Sequence, residues 1–168
     1  MKTIILFSSA NKQGNTAQAI AALEVDHAVD LIDIDQLSIS PFNYQSYYPN
    51  DDFYPLVEKM LVADNIIFAS PVYWHGVTAP MKALIDRMTE LLEVPELKPK
   101  ARALESKRAF VLASSANPEL CPIFSGFFER LFAYFNMEFC GALHAASRDG
   151  FYVDQQQLAQ FSAKLNQA

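Results

Sequence analysis

Only two of the 168 residues are cysteine, Cys121 and Cys140. That is too few for a disulfide framework or a tetrahedral zinc site. Long apolar runs are also missing. The stretch Met1–Phe7 is far too short for a signal peptide or a membrane span and runs straight into Ser8 and Ser9, so a cytoplasmic protein is expected. Positive charge is scarce: 13 Lys and Arg stand against 19 Asp and Glu, a net charge of -6. A general nucleic-acid or membrane-surface binder needs a basic face, so neither partner is expected. A single small anion held by backbone N–H groups remains compatible with this balance. What is present is core material: 51% of the residues are hydrophobic and 19% charged. A single domain over residues 1–168, without repeats or low-complexity tracts, is expected.

Three short apolar runs, Thr3–Phe7, Asn65–Ala69 and Ala109–Ala113, lack alternation and end at small or polar residues. Buried strands of a parallel sheet read this way. Ala28–Ile34 alternates in part and fits an edge strand, and Met137–Leu143 is apolar but broken by Gly141. Helical patterns fall between them, over Thr16–Glu24, Phe53–Ala63, Pro80–Leu92, Ile123–Phe135 and Asp154–Asn166. The stripe of Met81, Leu84, Ile85, Met88, Leu91 and Leu92 is the clearest, with Pro80 at a position a first helical turn tolerates. Strict β/α alternation predicts an α/β, doubly wound, five-stranded parallel sheet with helices on both faces. Its expected order is 2-1-3-4-5, the flavodoxin-like arrangement, with a ligand crevice beyond the carboxyl ends of the strands. Residues 93–106 read as a long connector.

Two loops carry chemistry. Ser8–Thr16 joins the first strand to the first helix with small hydroxyl residues, a flexible Gly14, and Asn15 and Thr16 at the helix N-terminus, where unpaired N–H groups favour an anion. An ordinary polar turn has the same composition. The loop has no Gly-Lys-Ser/Thr ending and no three-glycine fingerprint, and no acid is expected at a ribose position. The second loop, Ser70–Pro80, places Tyr73, Trp74 and His75 in succession after a central strand. Rings there can flank a flat heteroaromatic ligand, or pack under the following helix. The two loops belong to adjacent strands, so one pocket would hold a phosphate at one end and a planar ring at the other, the shape of FMN.

Ser9–Thr16 resembles the phosphate loop of the flavodoxin-like NAD(P)H-dependent FMN oxidoreductases, usually G-S-x-R-x-x-G-N-T. Residues 64–87, with their S-P-V-Y-W and M-K-x-x-I-D-R elements, resemble that family's second flavin loop and the helix behind it. The resemblance implies that Ser9, Asn15 and Thr16 hold the phosphate with backbone help from Lys12, Gln13 and Gly14. Asn11 stands where the family often has arginine, with Lys12 as a second source of charge. It places Pro71, Val72, Tyr73 and Trp74 along the isoalloxazine and its ribityl chain, with Ser114 and Ser115 of the third loop as further contacts. The implied activity is hydride transfer from NADPH or NADH through FMN to a small acceptor: a quinone, a free flavin, an azo or nitro compound, or a metal oxyanion. A homodimer is implied as well. A flavodoxin-type electron carrier is the alternative.

Other residues admit two readings each. His75 stacks near the flavin or is a solvated loop residue. Tyr44, Tyr47, Tyr48 and Tyr54 mark a crevice rim or dimer contact, or simply pack their loop. Residues 41–44, where some relatives carry iron–sulfur cysteines, read Pro-Phe-Asn-Tyr, so no cluster is expected. The phenylalanine face of Phe124–Phe135 reads as core, and Lys82, Asp86 and Arg87 as surface or helix-end ion pairs. Cys121 and Cys140 read as inert thiols without an activating neighbour.

Overall fold

The computed structural model describes residues 1–167. Lys2–Phe7 (β1), Ala28–Asp33 (β2), Asn65–Pro71 (β3), Arg108–Ser115 (β4) and Glu138–Ala146 (β5) form a parallel sheet. All of β3 is buried, as the unbroken apolar run requires, whereas edge strand β2 is half open to solvent. The order is β2-β1-β3-β4-β5-β6. The expected order therefore stands, with one more strand: Tyr152–Val153 (β6) pairs antiparallel with Ala145 and Ala146 of β5. Two residues are too few for a periodic signal. Gly141 does not interrupt β5. It marks a bulge, where the register against β4 passes from Phe139 to Gly141, and its φ of 153° suits glycine.

Alternate strand residues feed two cores. On one face Ile5, Phe7, Ile67, Phe110 and Leu112 meet Asn15–Ala21 (α1) and Gln155–Asn166 (α7). On the other, Ile4, Leu6, Ile66, Phe68 and Val111 meet Phe53–Leu61 (α2), Ala79–Arg87 (α3), Thr89–Glu93 (α4), Lys98–Ala103 (α5) and Pro122–Tyr134 (α6). The phenylalanine face of α6 is core: Phe68 lies 5.6 Å from the Phe128 ring and 5.5 Å from the Phe132 ring.

Two expectations need correction. The stripe at 80–92 forms two helices, not one. The Met88 N–H is shared between the Leu84 and Ile85 carbonyls, and the Leu91 N–H bonds back to Met88 O, a tighter i→i+3 turn. Residues 93–106 are not a plain connector. They hold a 3-10 turn at Pro95–Leu97 and α5; Ala101 and Leu104 of this segment are buried, and Lys100 pairs with Glu58. Among the described residues no helix is long and apolar enough to cross a membrane.

Candidate functional site

Strands β1, β3 and β4 lie side by side, so the loops leaving their carboxyl ends converge. They enclose a crevice of about 240 Å³. Ser9, Asn11, Gly14, Asn15 and Thr16 line it from the first loop, Pro71, Val72 and Tyr73 from the second, and Ser114, Ser115 and Ala116 from the third. Ser147, just past β5, completes the wall. Ala116 and Ser147 were not foreseen, because small residues at strand ends carry no distinctive pattern. Lys12, Gln13, Trp74 and His75 do not line the crevice.

The first loop is folded by its own side chains. Ser9 Oγ donates to Asn11 O at 3.0 Å and accepts from Asn11 N at 3.3 Å, so its proton is spent within the loop. Asn11 Oδ1 accepts from Gln13 N at 3.0 Å, which leaves the amide nitrogen as its donor. An N–H donor thus stands where the resemblance of this loop implies arginine. Asn11 O also receives the Gly14 N–H at 3.1 Å, and a Cβ on Gly14 would come within 3.2 Å of Asn11. A side chain at position 14 would therefore have to push Asn11 aside by a few tenths of an ångström. The N–H groups of Asn15 and Thr16 open α1 and have no carbonyl partner within the helix. Thr16 Oγ1 and Ser114 Oγ lie 2.7 Å apart in the interior, joining the first loop to the third.

Asp33 and Asp35 stand beside the loop at the carboxyl end of β2, where a ribose-binding acid would sit, contrary to expectation. Asp33 Oδ1 and both Asp35 oxygens are already engaged. Lys12 Nζ lies 2.5 Å from both Asp33 Oδ1 and Asp35 Oδ2, so Lys12 offsets part of their charge rather than facing the crevice. Asp35 also accepts from Ser9 N at 3.1 Å and from Ser8 Oγ at 2.5 Å. With that proton given to Asp35, Ser8 accepts from Thr78, whose own oxygen caps α3 through Met81 N. Burial pushes the Asp35 carboxyl up, but Lys12, Ser8 and Ser9 together hold it below its ordinary value.

The second loop is a two-residue hairpin. Tyr73 N donates to Gly76 O and Gly76 N to Tyr73 O, both at 2.9 Å. Its central residues, Trp74 and His75, have φ of 50° and 67°. That conformation costs a non-glycine residue about 1–2 kcal/mol. The result is a ring held out from the protein: Trp74 is 97% exposed and Tyr73 46%. Neither packs under α3, so the packing reading fails for them.

His75 neither points into the crevice nor is free. Its Nδ1 lies 3.1 Å from Cys121 Sγ at the start of α6, which corrects the expectation of a thiol without a neighbour. The backbone N–H of Phe124 and then His75 hold the Cys121 thiol below its ordinary pKa, whereas burial pushes Cys140 up. The tyrosines divide. Tyr44 and Tyr47 are exposed, while Tyr48 and Tyr54 pack around Arg87, which is buried rather than at the surface. Lys82 and Asp86 do form the expected surface pair, at 2.6 Å.

The crevice fits a phosphate ester carrying a flat ring. Among the described residues no carboxylate lines it, despite the chain's net charge of -6. Its polar groups are hydroxyls, amides and backbone N–H groups, and an aromatic shelf adjoins it.

Comparison with known proteins gives the same direction. A model of the family described as NADPH-dependent FMN reductase matches residues 1–119. YwqN of Bacillus subtilis, whose name places it among NAD(P)H-dependent FMN-containing oxidoreductases, is 26% identical over 179 aligned residues, covering 98% of this chain and 96% of its own. Among solved structures, the Trp repressor binding protein from Bacillus subtilis aligns with a TM-score of 0.73 at 21% identity, over 100% of this chain and 99% of that one. An FMN-dependent NADH-azoreductase from Bacillus anthracis, in complex with FMN, aligns with a TM-score of 0.62 at 9% identity, over 97% and 94% of the two chains. At such identities the structures speak for the fold.

Proposed function

The chain belongs to the NADPH-dependent FMN reductase family, and from that premise we propose that it holds FMN in this crevice and reduces a small acceptor such as a quinone, a free flavin, or an azo or nitro compound. It is an NAD(P)H-dependent FMN oxidoreductase. The observation that carries the reading is a crevice lined, among the described residues, by neutral polar groups and no carboxylate, beside an exposed aromatic shelf.

FMN, when bound, supplies the hydride and electron transfer chemistry. The protein's part is placement and electrostatics. The Asn15 and Thr16 N–H groups and the Asn11 amide would hold the phosphate, with the partial positive charge of the helix start adding to them. Lys12 offsets part of the charge that Asp33 and Asp35 would present to that anion. Pro71, Val72 and Tyr73 would lie along the ring and ribityl chain, with Ser114 and Ser115 opposite. Trp74, standing free at the rim, offers a stacking surface to a second planar molecule. No side-chain acid or base is assigned a catalytic role.

A flavodoxin-type carrier between protein partners is not favoured by the family match. The homodimer remains part of the proposal, with exposed Leu92 and Tyr134 lining a shared surface hollow between α4 and α6 as the patch to be covered. Anaerobic addition of NADPH or NADH to FMN-loaded protein is the test. Bleaching of the flavin absorbance is expected with at least one nucleotide. Tight FMN binding without bleaching by either would overturn the reductase reading.

A further inference from the structure

Ser115 lines the crevice, and its hydroxyl is tied from behind to a histidine that the function above leaves unused. Ser115 Oγ lies 2.8 Å from His144 Nε2 across the β4–β5 ladder. The same oxygen accepts the Asn117 N–H at 3.2 Å. A serine hydroxyl has one proton and two lone pairs. One lone pair is spent on Asn117, so the bond to His144 decides what is left for the crevice. Where Nε2 accepts, the Ser115 proton is used up and the crevice meets a lone pair. Where Nε2 donates, the second lone pair is used up and the crevice meets an O–H.

His144 is reached by protons from the far side. Its ring lines a separate cavity of about 190 Å³, together with Pro118, Glu119, Tyr152, Asp154 and Gln157. Glu119, Asp154 and Tyr152 are the titratable groups that face it there, and Arg148, in the turn after β5, is tied to Asn117 Oδ1 at 3.2 Å. Burial pushes the imidazole pKa below its ordinary value, so the ring is neutral at pH 7 and either arrangement is open to it.

We infer that His144 is a positioning residue, which sets whether Ser115 offers the crevice an acceptor or a donor and, once protonated, fixes it as a donor. An imidazolium carries N–H at both nitrogens and can only donate. The inference rests on FMN occupying the crevice. An isoalloxazine edge presents carbonyl oxygens and ring nitrogens against one N–H, so the donor state is the tighter-binding one.

The test measures FMN affinity by fluorescence quenching across the His144 titration, located by the nitrogen-15 shifts of its ring, in the wild type, Ser115→Ala and His144→Gln. In parallel, nitrogen-15 shifts of the His144 ring are followed in FMN-free wild type and Ser115→Ala. Wild-type affinity should rise about fivefold, relative to Ser115→Ala, as His144 gains its proton. His144→Gln should show no such rise, and Ser115→Ala should shift the Nε2 resonance. The FMN phosphate titrates alike in all three proteins and cancels. Parallel pH profiles, or an Nε2 resonance indifferent to Ser115→Ala, would overturn the inference alone. Failure of the wild type to bind FMN would overturn the crevice assignment and this inference with it. The ring-shift measurement needs no His144 variant, so a folding defect there leaves the test standing.

Discussion

The guanidinium of Arg87 lies 3.3 Å from the centroid of the Tyr48 ring, with Asp51 Oδ2 at 2.7 Å and Glu90 Oε2 at 3.1 Å. All three charged side chains are at most 2% exposed. Arg87 Nη1 also reaches Ser40 O at 3.3 Å, and Tyr54 donates to Glu90 at 2.9 Å. One cation thus fastens the long segment between β2 and α2 to the end of α3. Arg87→Met would leave two buried carboxylates unpaired, at a cost of about 3–5 kcal/mol. Urea denaturation should show that loss, and Asp51→Asn in the same chain should recover part of it.

The acid side of the stability profile follows from the same carboxylate. Burial pushes the Asp51 carboxyl up, but the Ser40 and Phe53 N–H groups and Arg87 outweigh it and hold it below its ordinary value. Asp35 behaves alike. A depressed folded-state pKa contributes stability that is complete above the unfolded value and lost as pH falls through the folded one. The melting temperature should therefore drop steeply below about pH 4, and Asp51→Asn should flatten that drop. An Asp51→Asn profile as steep as the wild type's would refute the assignment.

Asn15→Ala combined with Thr16→Ala removes side chains at the start of α1 and breaks the Thr16–Ser114 bond. The backbone N–H groups of both positions remain, so FMN affinity should fall only by the lost Thr16 hydroxyl and its tie to the third loop, about fivefold, while circular dichroism stays native. Unchanged affinity would show that the Thr16–Ser114 tie does not shape the site.

Lys12→Met exposes Asp33 and Asp35 to whatever anion the loop holds. Affinity for FMN should fall several-fold, and more so at low salt, where screening is weakest. Adding Asp35→Asn should restore much of it. A lysine that touched the phosphate itself would show no such rescue.

Cys121 should be alkylated by iodoacetamide faster than Cys140 at neutral pH, because the thiolate is the reacting form. His75→Ala should slow Cys121 alone. Mass spectrometry of the two peptides separates these outcomes.

Much of this was readable in advance because it is local. The buried runs at β1, β3 and β4 and the stripe on α3 are written in consecutive residues, and two loops at adjacent strand ends could be joined on topology alone. Contacts distant in sequence could not. Cys121 and His75 are 46 residues apart. Arg87 looks like a helix-end cation until Tyr48 and Asp51 close over it. The acids at the end of β2 carry no local signal, because their role depends on Lys12, 21 and 23 residues earlier. The break at Met88 leaves the apolar spacing intact, so periodicity runs through it unmarked.

The hairpin at Tyr73–Gly76 bears on any attempt to harden this protein. A turn with two left-handed central positions is most comfortably filled by Asn-Gly, and here it holds tryptophan and histidine. Replacing the pair with Asn-Gly would relieve the backbone and raise the melting temperature. It would also strip the crevice of its projecting ring and Cys121 of its partner. Thermostability screens run without an activity readout would select that change, and the molecules they returned would be sturdier and blunter.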